Sequence, residues 1–88
     1  MLYRIYTESV NPSTIEDLAN KFLGNCTILE GIGLFNNESE KSTIIEYVTG
    51  TVQDQLIREL AYEIGSTNNQ QAVLVQRLNN KQFTVLTG

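Results

Sequence analysis

Two extended apolar runs joined by a polar stretch constrain this chain more than any other feature. The first is Ile28-Leu29-Glu30-Gly31-Ile32-Gly33-Leu34-Phe35 and the second is Ser42-Thr43-Ile44-Ile45-Glu46-Tyr47-Val48. β-branched and aromatic residues dominate both, which suits a pleated, half-buried surface. Each run also holds one carboxylate, Glu30 or Glu46, among apolar neighbours. The connection from Asn36 to Lys41 is polar, so the pair reads as a hairpin. A lone hairpin is barely stable in water. The flanking segments must therefore give it a core.

They do so in a repeated order. Leu2 to Thr7 predicts a first strand, with Tyr3 and Ile5 on one face and Leu2, Arg4 and Tyr6 on the other. Asn11-Pro12-Ser13 breaks it. Ser13 with Glu16 fits a capping box, and Asn11 before Pro12 is a competing helix start. Ile15, Leu18, Ala19, Phe22 and Leu23 then recur at one-face spacing, predicting a helix over 13–23 that Gly24-Asn25 ends.

The second strand starts near Cys26. Its parity separates Leu29, Gly31 and Gly33 from Ile28, Glu30, Ile32 and Leu34, and the glycine pair predicts a bulge, a sharp twist or close packing beneath a helix. The third strand covers about Ser42 to Val48. Thr51 with Asp54 offers a further capping box. Val52, Leu56, Ile57, Leu60, Ala61 and Ile64 form the next helical stripe, with Gly65 as its stop. Ala72 to Leu78 reads as a fourth strand, Asn79-Asn80 as a tight turn, and Lys81 to Leu86 as a short fifth strand.

Strand, helix, strand, strand, helix, strand is the split pattern of a ferredoxin-like α+β sandwich. It predicts one domain over residues 1–88, an antiparallel sheet in the order fourth, first, third, second, and both helices on one sheet face. The chain also resembles a family of short bacterial and phage proteins of unknown function with a ferredoxin-like core. The resemblance rests on Leu2-Tyr3, the segment from Thr27 to Gly33, the run from Glu38 to Ser42, and Gln70-Gln71-Ala72-Val73-Leu74. It departs in the aromatic expected after the second-strand glycines, which is displaced to Phe35. It implies the fold and, because that family has no assigned chemistry, no catalytic residue.

Composition narrows the function classes. Six Lys and Arg against ten Asp and Glu give a net charge of −4 and a pI near 4.6. That balance disfavours binding to a phosphate backbone. Histidine is absent, which removes the commonest general base and metal ligand. The single cysteine, Cys26, rules out an internal disulfide and has no histidine to activate it. Glu38 and Glu40 lack the oxygen-rich loop of a calcium site. No cofactor or metal motif is present, and no apolar run reaches membrane-span length. A cytoplasmic protein without a membrane anchor is the expectation.

The sheet face away from the helices is the most informative part. With Tyr3, Leu29, Ile45, Val73 and Val75 turned to the helices, the open face should carry Arg4, Tyr6, Ile28, Glu30, Ile32, Ile44, Glu46 and Val48. A solvated face should be more polar. This one predicts a homo-oligomer, dimer or trimer, closed across the open face. Glu30 and Glu46 would lie together with Arg4 and Tyr6, where close carboxylates raise one another's pKa. The leading expectation is a small self-associating interaction module that binds or inhibits another protein, such as a phage-encoded modulator of host machinery. The alternative is an oligomeric small-molecule-binding protein or metal-independent lyase or isomerase, with Glu30 and Glu46 as its catalytic carboxylates between subunits.

Overall fold

The structure is a computed structural model, and it describes residues 1–78 and 81–87. Its elements are β1 (Leu2–Glu8), α1 (Pro12–Leu23), β2 (Thr27–Phe35), β3 (Glu38–Val48), α2 (Asp54–Asn68), β4 (Ala72–Arg77) and β5 (Lys81–Leu86). One five-stranded sheet has the order β2-β3-β1-β4-β5, with every neighbouring pair antiparallel. This is the ferredoxin-like order, extended at one edge by β5. The expected turn at Asn79-Asn80 lies outside the described residues. Among the described residues no helix is long and apolar enough to cross a membrane.

The core forms where helical and strand periodicities meet. Tyr3 and Ile5 of β1, Ile45 of β3, and Val73 and Val75 of β4 are buried beneath Ile15 and Ala19 of α1 and Ile57, Leu60, Ala61 and Ile64 of α2. Burying each large side chain contributes about 1.5–3 kcal/mol before ordering costs. Val52 is the exception to the predicted stripe. It precedes α2 and is exposed.

The helix ends differ from the capping boxes read in the sequence. Asn11 is the N-cap of α1 with Pro12 just inside, so the competing start is the one used. Pro12 needs no amide partner there, and its fixed φ suits the first turn. Gln53 is the N-cap of α2, and neither N-cap makes a side-chain capping bond.

Gly65 does not end α2. The helix runs on to Asn68, and Asn69 caps it with φ of 60°. Gly65 is small for a packing reason: a Cβ there would lie 2.5 Å from Thr87 Cγ2 and 3.1 Å from Thr87 Cβ. Thr87 is held in turn by its amide to the Gln71 carbonyl at 2.9 Å and by its hydroxyl to the Gln70 carbonyl. Gly65→Ala is expected to lower stability by about 1–2 kcal/mol in urea unfolding, because overpacking outweighs the gain in helix propensity. Adding Thr87→Gly should recover most of that loss.

The central hairpin is longer and tighter than predicted. β3 begins at Glu38, and the turn is only Asn36-Asn37, with φ of 50° and 66°. Two residues at positive φ make the primed turn that matches strand twist. Pairing then runs without a break from Thr27↔Glu46 to Phe35↔Glu38, so Gly31 and Gly33 mark no bulge. They lie opposite Ser42 and Glu40 on the face away from the helices, where an added Cβ meets only ordinary contacts. β1 reaches β3 only as far as Glu8↔Ser42. The end of the hairpin therefore extends beyond β1 as a two-stranded arm.

Candidate functional site

Register assigns each candidate side chain to a face. Ile5 lies opposite Ile45 and Val75 in the core layer, so Arg4, Glu46 and Gln76 form one row on the open face. Tyr6 lies opposite Ile44 and Leu74 on the same face. In β2, Ile28 is opposite Ile45 and Glu30 is opposite Thr43. Ile28, Glu30 and Ile32 therefore belong to the helix side, and Leu29 to the open face. This reverses the expected parity of the strand. Glu30 and Glu46 sit on opposite faces and form no carboxylate pair within one sheet.

The cause is the turn. A two-residue connection pairs residues whose numbers sum to an odd value, as in Ile28↔Ile45. The expected placement of Leu29 and Ile45 on one face needs an even sum. A shift of one residue moves every side chain of a strand to the other face.

What remains on the open face is a short polar row in an apolar surround. Arg4 Nε donates to Glu46 Oε2 at 2.7 Å, and both side chains are only partly exposed. The Glu46 carboxylate holds the Arg4 guanidinium above its ordinary pKa. Tyr6 donates its hydroxyl to Gln76 Oε1 at 3.0 Å. Around them Leu29, Val48 and Leu74 are exposed, and Leu2 and Ile44 are half-buried. Arg4, Tyr6, Ile44, Glu46 and Val48 are thus together on one face, and Ile28, Glu30 and Ile32 are not with them.

Glu30 instead joins a hollow of about 500 Å³ with Ser9, Pro12, Ile32 and Lys41. Ser9 donates its hydroxyl to Glu30 Oε2 at 3.3 Å. Cys26 is half-buried against the core, and burial pushes its thiol pKa up, so the thiolate is disfavoured. Glu38 and Glu40 lie exposed on the arm.

Two features escaped the sequence reading. One is a part-buried cluster at the start of α2. Tyr3 donates its hydroxyl to Asp54 Oδ1 at 2.6 Å and accepts the Gln53 amide at 2.8 Å. Arg77 Nη1 contacts both Asp54 oxygens, at 3.0 and 3.2 Å. Tyr3 and Arg77 are cross-strand partners, so strand parity could have aligned them, but Asp54 read as a cap. The second is a groove of about 620 Å³ on the outer side of α2, with Phe22, Arg58, Tyr62 and Val85 in its wall. Arg58 stacks 4.1 Å from the centre of the Phe83 ring. Residues four apart on a helix share a face, which relates Arg58 to Tyr62.

No family model and no curated protein matches this sequence. Its fold does match a solved structure, a phage SAM lyase in the apo state. The superposition has a TM-score of 0.73 with 14% identity, covering 97% of this chain and 87% of that one. At that identity the likeness is one of fold. A phage protein and this chain therefore share one α+β architecture over nearly their whole lengths.

Proposed function

We propose that this protein is a small oligomeric lyase-type protein of phage origin. Further copies of the chain, as a dimer or trimer, close its open sheet face, and the Arg4–Glu46 pair with Tyr6 lines the ligand site so enclosed. The observation that carries this reading is an ion pair in the middle of an apolar, exposed sheet face. Such a face is stabilised by being covered, and a covered ion pair becomes a polar feature in a drier environment.

SAM (S-adenosylmethionine) is the first ligand to test, since the full-length structural neighbour is a SAM lyase. A sulfonium carries a permanent positive charge that a carboxylate matches, and it leaves as a neutral thioether, so its cleavage needs no metal. Glu46, with Oε2 engaged by Arg4, would face that charge, and Tyr6 would donate a hydrogen bond by turning its hydroxyl from Gln76. Glu30 lies on the other sheet face and takes no part within the same subunit.

Sedimentation and SAM turnover test this together. The expected result is an oligomer at micromolar concentration that depletes SAM in a chromatographic assay. Glu46→Gln should keep the mass and lose at least about a hundredfold in rate, a loss of the size expected for a group acting directly on the reacting charge. A monomer, or intact SAM after prolonged incubation, overturns the reading.

The net charge of −4 favours a second reading, an interaction module that binds a basic protein partner. A stoichiometric complex with such a partner, together with unchanged SAM, would put it first. Both readings assume a cytoplasmic protein.

A further inference from the structure

We infer that the free edge of β2 is a strand-pairing site for a second copy of the chain, joined antiparallel about a two-fold axis at Gly31. This surface is separate from the open face invoked above.

Among the described residues β2, the first strand of the sheet, pairs only with β3, so one side of its nine-residue backbone is left without a strand partner. Natural edges are blunted by charge, proline, bulges or brevity. β2 has no proline and no bulge, and Glu30 is its one charge. The other edges are better defended. The β3 side of the arm carries Glu38, Glu40 and Lys41, and β5 is only six residues long. On β2, Ile32 is 74% exposed and Leu34 is 80% exposed.

The occupant follows from the side-chain pattern. Centred on Gly31, an antiparallel β2–β2 pair sets Ile28 opposite the second copy's Leu34, and Leu29 opposite its Gly33. Glu30 then lies opposite Ile32. The apolar pairs fall on the helix side, and the glycines leave room on the other. Glu30 does not face Glu30. Its neighbour one strand beyond Ile32 is the second copy's Lys41, because Ile32 pairs with Lys41 on β3. Two strand spacings are about 10 Å between backbones, within reach of extended Lys and Glu side chains on one face. The two-fold axis creates this opposite-charge contact twice. The same edge is therefore complementary to itself in shape and in charge, which is the requirement for a symmetric interface.

The test exploits the sign of the charge. Ile32 is exposed and points away from the open face, so substitution there spares both the fold and the face-to-face contact. Ile32→Glu sets like charges opposite one another twice and should raise the dissociation constant of this contact about tenfold or more. Ile32→Lys should leave it at least as tight as in the unmodified protein. Sedimentation velocity over a concentration series reads both. Equal effects of the two variants, or none from either, overturn the inference. Register is tested in a Cys26→Ser background. Gly31→Cys should cross-link to a covalent dimer under mild oxidation, since partners on the axis have Cβ atoms about 4.5–5.5 Å apart. Gly33→Cys should not, because its symmetry mate is roughly 13 Å away along the strand. Cross-linking at Gly33 in place of Gly31, or at neither, overturns the inference as well.

Discussion

Replacing Asp54 with alanine is expected to cost about 2–3 kcal/mol, below the ~3–5 kcal/mol typical of a fully buried ion pair because this one is part-buried. The side chain receives two contacts from Arg77 and one from the Tyr3 hydroxyl, and both donors are largely out of solvent. Without it, Arg77 keeps its charge in a site that is mostly closed to water. Domains of this size have a total stability of only about 5–15 kcal/mol, so the shift in urea midpoint should be large. Asp54→Asn should cost less, since an amide oxygen still accepts from Tyr3.

The same cluster predicts alkaline behaviour. Burial first, and then the hydrogen bond to Asp54, raise the Tyr3 phenol above its ordinary value of 10.0. The folded state therefore holds this proton more tightly than the unfolded state does. The contribution is fully present below pH 10 and is lost as pH rises through the raised value. Tyr3→Phe removes this component of the pH dependence, at a baseline cost of about 1–3 kcal/mol for unpaired groups left behind. An unchanged slope above pH 10 in that variant would assign the effect elsewhere.

The second large effect concerns Glu46. In an isolated subunit the Arg4–Glu46 pair is partly solvated, and exposed pairs contribute little. Glu46→Ala should barely alter the unfolding of a monomer. If the open face is covered, the same change strands Arg4 in an interface, and assembly should weaken by about a hundredfold or more. Arg4→Met combined with Glu46→Leu should restore assembly, because an apolar pair of similar size suits a closed face. Activity should stay lost in that double variant, which separates holding the subunits together from handling a ligand. Sedimentation equilibrium and the SAM depletion assay read the two quantities independently.

Much of this architecture was legible in the sequence, for reasons visible at particular residues. Ile15, Leu18, Ala19, Phe22 and Leu23 carry a helical period strong enough to position α1, and Tyr3 with Ile5 fixes the inner face of β1. The strand order then follows from the split pattern. The site was less legible because it depends on parity. Whether Glu30 meets Glu46 is decided by whether the connection holds an even or an odd number of residues, and both the Asn36-Asn37 turn and the whole polar stretch from Asn36 to Lys41 are even. Assigning the faces of β2 from its apolar residues alone, without counting the connection, puts Glu30 on the wrong face. Gly65 misled in a similar way: its role depends on Thr87, which is remote in sequence and adjacent in space. Asp54 looked like a local cap and is instead a tertiary anchor.

The sheet order has a consequence for synthesis. β1 is made first but lies in the centre, between β3 and β4. Until Ala72–Arg77 leaves the ribosome, one of its two neighbours does not exist. The β2–β3 hairpin needs no distant segment and can form early, as local contacts do. The central strand must wait for β4, which follows the hairpin and the whole of α2, so the apolar hairpin is already formed and exposed to other nascent copies before the sheet closes.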